Sequence, residues 1–186
     1  MRRRNRPAPI LPVDKALNGR LKKDSPDDSP ANVLVYFDGA AEPTNPGHGG
    51  YGMVALHRDT LVILAEGWRY LGNGITNNVA EWEGCLAALA WITEHYILHK
   101  GCVYELRGDS MLVLKQLTGY YGCHKPHLAG LTSEGRRMLQ NLPSLMVRWV
   151  PRERNTLADE RSKLAVANYI TPVDDPDLMF AHAAGD

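Results

Sequence analysis

The order of apolar periodicities constrains this chain more than any other feature: three strand-like runs come first, and only then do strands alternate with helices. Residues 33–37 form a continuous β-rich run ending at Asp38-Gly39. Stretches 49–56 and 61–70 read as a hairpin turning near 57–60. Residues 77–100 have helical spacing and stop at Gly101. A strand over 102–107, a helix through Leu117, a helix over 128–142, a strand over 145–150 and a helix over 155–170 complete the series. Hairpin-linked strands followed by strand–helix alternation predict an α/β fold, a mixed sheet with helices packed on its faces.

This body occupies residues 31–170, one domain by length, and 44% apolar residues are enough for a sizeable core. The flanks differ in composition. Residues 1–30 hold eight Lys/Arg against four Asp with no apolar periodicity, and are expected to be a basic, disordered arm. Residues 171–186 hold four Asp and no Lys or Arg, an acidic tail in which Leu178-Met179-Phe180 could dock on the body. Net charge is zero, so long-range steering toward phosphate is weak and any nucleic-acid site must be local. No apolar run approaches the roughly 18 residues that span a bilayer, and prolines interrupt the start where a secretory signal would be apolar. Cys85, Cys102 and Cys123 are odd in number and widely spaced, which fits buried free thiols in a reducing cytoplasm better than disulfides or zinc.

Four carboxylates stand where local context disfavours charge. Asp38 ends an apolar strand, where an unpaired charge is costly. Glu81 shares a helix stripe with Cys85, Leu89 and Ile92, whereas Glu83 steps to Ala87, Ala90 and Glu94. The two glutamates are about 200° apart around the helix, so Glu81 faces the sheet and Glu83 the solvent. Asp109 follows Gly108 at the carboxyl end of a strand, where open α/β sheets place ligands. Asp159 lies in the first turns of the last helix, four residues after Asn155, a candidate N-cap. Each has an ordinary explanation alone, as a cap, a turn or a helix-dipole partner. Together, oxygen donors without His or Cys suit Mg²⁺ or Mn²⁺, and a pair of such ions suits displacement at phosphorus.

The motifs around these acids are similar to those of a known family. Tyr36-Phe37-Asp38-Gly39-Ala40, then Asn45-Pro46-Gly47 and Gly49-Gly50-Tyr51-Gly52, resembles the opening of type 1 ribonucleases H. Thr76-Asn77-Asn78-Val79-Ala80-Glu81, Gly108-Asp109-Ser110 and the segment from Trp149 to Asp159 resemble its three later motifs, in order. The resemblance covers residues 33–170. It implies a ribonuclease H-like fold with a central five-stranded mixed sheet, the first three strands antiparallel. It implies catalysis by Asp38, Glu81, Asp109 and Asp159 with two Mg²⁺, Mn²⁺ being a substitute, and no small-molecule cofactor. The implied partner is an RNA–DNA hybrid, cut in its RNA strand to leave 5′-phosphate and 3′-hydroxyl ends by a monomeric enzyme. Candidate substrate-binding residues are Gly39, Ala40, Asn45, Thr76, Asn77, Asn78, Ser110, Gln116 and Asn155, several of them facing the 2′-hydroxyls of the shallow minor groove.

Two departures from the family pattern matter. The loop before the last helix, Trp149 to Arg154, lacks the histidine many bacterial members use in product release, with Arg152 or Arg154 as possible stand-ins. Residues 119–127 replace a longer basic handle and carry one Lys, Lys125, beside Tyr120 and Tyr121, which could touch the DNA strand or simply pack. Trp68, Trp82, Trp91 and Trp149 are better explained by packing than by base stacking, and His124 and His127 as solvated loop residues. A resolvase- or transposase-like nuclease and a catalytically silent hybrid-binding module are the alternative readings.

Overall fold

The computed structural model describes residues 20–22, 29–98 and 101–170. The remainder of the expected basic arm, the acidic tail and the end of the first helix at Lys100 lie outside the described residues. Six strands form one mixed sheet in the order β1-β6-β5-β2-β3-β4. Strands β2 (Val33–Glu42), β3 (Gly47–His57) and β4 (Ile63–Ile75) are antiparallel neighbours, as the hairpin pattern predicts. Strands β5 (Tyr104–Gly108) and β6 (Met146–Trp149) extend the sheet in parallel from β2.

The sixth strand corrects the expectation of five. Leu21–Lys22, β1, pairs in parallel with Val147 and Arg148 at the open edge of β6. The Arg20 guanidinium beside it donates to the carbonyls of Leu139 and Leu142 at 2.9 and 3.1 Å. Two residues of strand carry no alternation, so periodicity could not reveal this element.

Helices α1 (Asn77–Leu98), α2 (Met111–Leu117) and α3 (Pro126–Gln140) lie on one side of the sheet, and α4 (Thr156–Ile170) packs on the other against β2, β3 and β4. The period-two alternation of β2 sends Val33, Val35 and Phe37 into the first layer, where Trp82, Cys85, Leu89 and Ile92 of α1 and Leu106 of β5 are fully buried. Glu105 of β5 is buried with charged partners: Arg107 and Arg148 approach its Oε1 at 2.6 and 3.0 Å, and the Ser29 hydroxyl donates to Oε2 at 2.9 Å. Such a charge is tolerated because it is paired and hydrogen-bonded.

Candidate active site

Two glycine contacts set Asp38 against Glu81. A Cβ on Gly39 would stand 2.1 Å from the Glu81 backbone nitrogen, and one on Gly84 would stand 2.6 Å from the Asp38 carbonyl. Strand β2 and helix α1 therefore touch backbone to backbone at the end of the strand. Gly39, expected to contact substrate, is at least as much the residue that lets the helix in. Asn45 steadies the same junction, its Oδ1 accepting the Asn77 N–H at 3.0 Å. Thr76 acts as a helix cap, its hydroxyl accepting the Val79 N–H at 3.4 Å.

Asp109 sits where β5 ends, its backbone carbonyl accepting the Trp149 indole N–H at 3.1 Å. Asn155 corrects the expectation of an N-cap. It is only 1% exposed, and its Oδ1 accepts no hydrogen bond among the described residues, so its side chain does not cap α4. Its amide donates to the Phe37 carbonyl at 2.9 Å and to Asp109 Oδ1 at 3.3 Å, tying the start of α4 to β2 and β5. Ser162, fully buried nearly two turns into α4, donates to Asp38 Oδ2 at 2.7 Å. Gly50 and Gly52 of β3 allow this approach: a Cβ on Gly52 would lie 2.5 Å from the Ala158 carbonyl and the Ser162 nitrogen.

One oxygen from each of Asp38, Glu81 and Asp109 falls within 4.8 Å of the others. Asp159 lines the same cavity, of about 470 Å³, together with Gly39, Ala40, Asn77, Trp149, Arg152 and Lys163. Asp159 stands apart electrostatically. Arg152 approaches its Oδ1 at 2.9 Å and Lys163 its Oδ2 at 2.6 Å.

The charges behave accordingly. Burial pushes the Asp38 carboxyl up to about 7; the Ser162 hydrogen bond opposes this, and the charges of Asp109 and Asp159 add to it. Burial and then the Asp38 and Asp109 charges hold Glu81 well above the carboxylate range. Burial also raises Asp109, against hydrogen bonds from its own backbone and Asn155. Burial would raise Asp159 too, but hydrogen bonds and charges from Lys163 and Arg152 outweigh it and hold that carboxyl below its ordinary value. Glu81 Oε2 is buried with no hydrogen-bond partner among the described residues, and its other oxygen is reached only by Asn77 at 3.5 Å. An oxygen-only donor set, mutually repulsive when ionised and with one orphaned carboxylate oxygen, is suited to a hard divalent cation.

The other expected substrate contacts divide. Asn45, in the turn between β2 and β3, and Asn78 are exposed, and Thr76 and Asn77 at the start of α1 are half-buried. Ala40 is nearly buried beside Asp38, and Ser110 precedes α2 without making a side-chain cap. Gln116, also expected to contact substrate, is held inside the fold. It is buried, its Oε1 accepting the Trp82 indole N–H at 3.0 Å, although it borders a second cavity with Asn78, Tyr120, Tyr121, His124 and Lys125. Sequence reasoning missed Ser162, Trp149 and Lys163. Only Ser162 had a legible signal, a small polar residue on the stripe shared by Ala158, Ala165 and Val166.

A family model described as reverse transcriptase-like matches residues 36–165, from the strand bearing Asp38 to the helix bearing Asp159. The chain belongs to the ribonuclease H family. Over 132 residues it is 34% identical to a bifunctional protein of Mycobacterium tuberculosis, covering 68% of this chain and 33% of that one. It is 36% identical over 132 residues to ribonuclease HI of Halobacterium salinarum, covering 71% of this chain and 63% of that one. The chain thus spans about a third of the first relative and under two thirds of the second. The crystal structure of the Halobacterium RNase H1 superposes with a TM-score of 0.64 over 73% of this chain and 98% of that one. A compost-derived RNase H1 in complex with an RNA/DNA hybrid gives 0.67 at 30% identity, over 75% and 99%. Against the ribonuclease H pattern, the loop before α4 is a single 3₁₀ turn, Arg152–Arg154, whose Arg152 reaches the site.

Proposed function

We propose that this chain is an endonuclease that hydrolyses the RNA strand of RNA–DNA hybrids with the help of two divalent cations. The reading rests on one observation above all: three carboxylates from β2, α1 and the end of β5 converge within 4.8 Å, and Asp159 of α4 shares their cavity. The hybrid bound by the compost-derived relative supports the substrate class.

Asp38, Glu81 and Asp109 would hold one Mg²⁺, with Mn²⁺ as substitute, and Asp159 would help hold a second. Such ions, when bound, acidify water and stabilise the oxygen that departs from phosphorus. The chain's own groups set the geometry. Ser162 fixes one oxygen of Asp38, leaving Oδ1 for a cation. Asn155 orients Asp109, and Asn77 orients Glu81. The backbone of Gly39 and Ala40, with Asn45, Asn77 and Asn78, faces the minor groove, where 2′-hydroxyls distinguish RNA from DNA. Cleavage leaves 5′-phosphate and 3′-hydroxyl ends.

We assign this activity to a monomer in a reducing cytoplasm. The reducing compartment is supported by three cysteines outside any disulfide, two of them buried. Labelled RNA–DNA hybrid, double-stranded RNA and double-stranded DNA test the substrate class. Cleavage of the hybrid's RNA strand alone is expected; equal cutting of either homoduplex would refute it.

A further inference from the structure

The four acids differ in who holds them. Asp38, Glu81 and Asp109 are each hydrogen-bonded by a neutral side chain: Ser162 at 2.7 Å, Asn77 at 3.5 Å and Asn155 at 3.3 Å. Asp159 instead has a cation on each oxygen, Arg152 on Oδ1 and Lys163 on Oδ2, and it is absent from the group whose oxygens lie within 4.8 Å of one another. The Lys163 contact follows from the helix, since residues four apart share a face. Its side chain is about half exposed and lines the cavity. An ammonium on a four-carbon stem can move from one anion to another without disturbing the backbone.

We propose that Lys163 is a positioning residue that keeps Asp159 out of the cation site until a nucleic-acid phosphate draws its ammonium away, so that a second divalent ion enters only together with substrate. The inference rests on the two-cation reading above. In the free enzyme the first ion would find three carboxylates hydrogen-bonded by neutral side chains, whereas the second meets two like charges on its ligand, Lys163 at 2.6 Å and Arg152 at 2.9 Å, of which the ammonium is the one on a flexible stem beside the ligand on the same helix. A phosphate entering the cavity offers Lys163 an alternative anion and also brings oxygens that the second ion can use.

The test is a titration of the full chain with Mn²⁺, counted by calorimetry and by paramagnetic resonance of free Mn²⁺. Without nucleic acid the unaltered chain is expected to bind one ion well and a second weakly. Lys163→Met keeps a good helix former at a half-exposed position and should tighten the second ion about fivefold or more. Lys163→Arg, which retains the charge, should match the unaltered chain. Adding a hybrid with a 2′-O-methyl RNA strand, which resists cleavage, should tighten the second ion in the unaltered chain and close the gap to Lys163→Met. Identical isotherms for the unaltered chain and Lys163→Met, with ions bound in both, would overturn this inference alone. No Mn²⁺ bound by either protein, with or without hybrid, would overturn the two-cation reading and this inference with it.

Discussion

At the scale of single residues, the site is an assembly of carboxylates that folding brings together at an electrostatic cost. Asp38 shows the sign of that cost. Its carboxyl, pushed up to about 7, holds a proton in the folded protein that an unfolded chain has already released above about pH 4. The folded state therefore binds more protons through that window, and without divalent ions stability falls as pH rises from about 4 to about 7. Asp38→Asn removes the charge. In EDTA at pH 8 it should stabilise the protein by roughly 1–3 kcal/mol, a rise of several degrees in melting temperature, with little effect near pH 4. Equal melting temperatures for both proteins at pH 8 would contradict the account. The acids were legible because each broke an apolar pattern: Glu81, on the stripe of Cys85, Leu89 and Ile92, is buried as its face requires, while Glu83 is half-exposed. Lys163 was not, and Asn155 was singled out without the contacts it makes. A lysine four residues after an aspartate looks like any surface pair, and nothing local to Asn155 shows that its amide reaches Phe37 across the fold.

Among the elements, glycines rather than large side chains decide where the helices sit. Strand β3 presents Gly50 and Gly52 to α4, so that Ala158 and Ser162 approach the sheet closely enough for the Ser162 hydroxyl to reach Asp38. Gly52→Ala places a methyl group 2.5 Å from the Ala158 carbonyl and should lift the helix, costing about 1–3 kcal/mol. Urea unfolding would read this as a lower midpoint at unchanged slope, and a midpoint equal to that of the unaltered chain would show that α4 does not bear on the strand there. The element order was legible from periodicity, but the ends were not. Strand β2 continues through Asp38 to Glu42, and β4 through Ile75, because pairing with β3 holds residues that have no apolar alternation of their own. The two-residue β1 was invisible for the same reason: its partner on β6 creates it.

For the whole molecule, the sheet order places the ends of β2 and β5 side by side, α1 on one face and α4 on the other, and each contributes an acid to one cavity. With zero net charge, the proposed engagement of phosphate would rest on this local concentration of carboxylates and the cations it would hold rather than on a field over the whole surface. The most direct measurement replaces one carboxylate oxygen and leaves the fold alone. With Mg²⁺ and an RNA–DNA hybrid, Asp109→Asn should cut the RNA strand at least about a thousandfold more slowly while still binding the hybrid, as the ligand rather than the scaffold is lost. Cleavage by Asp109→Asn at the rate of the unaltered chain would contradict the claim that these carboxylates do the chemistry.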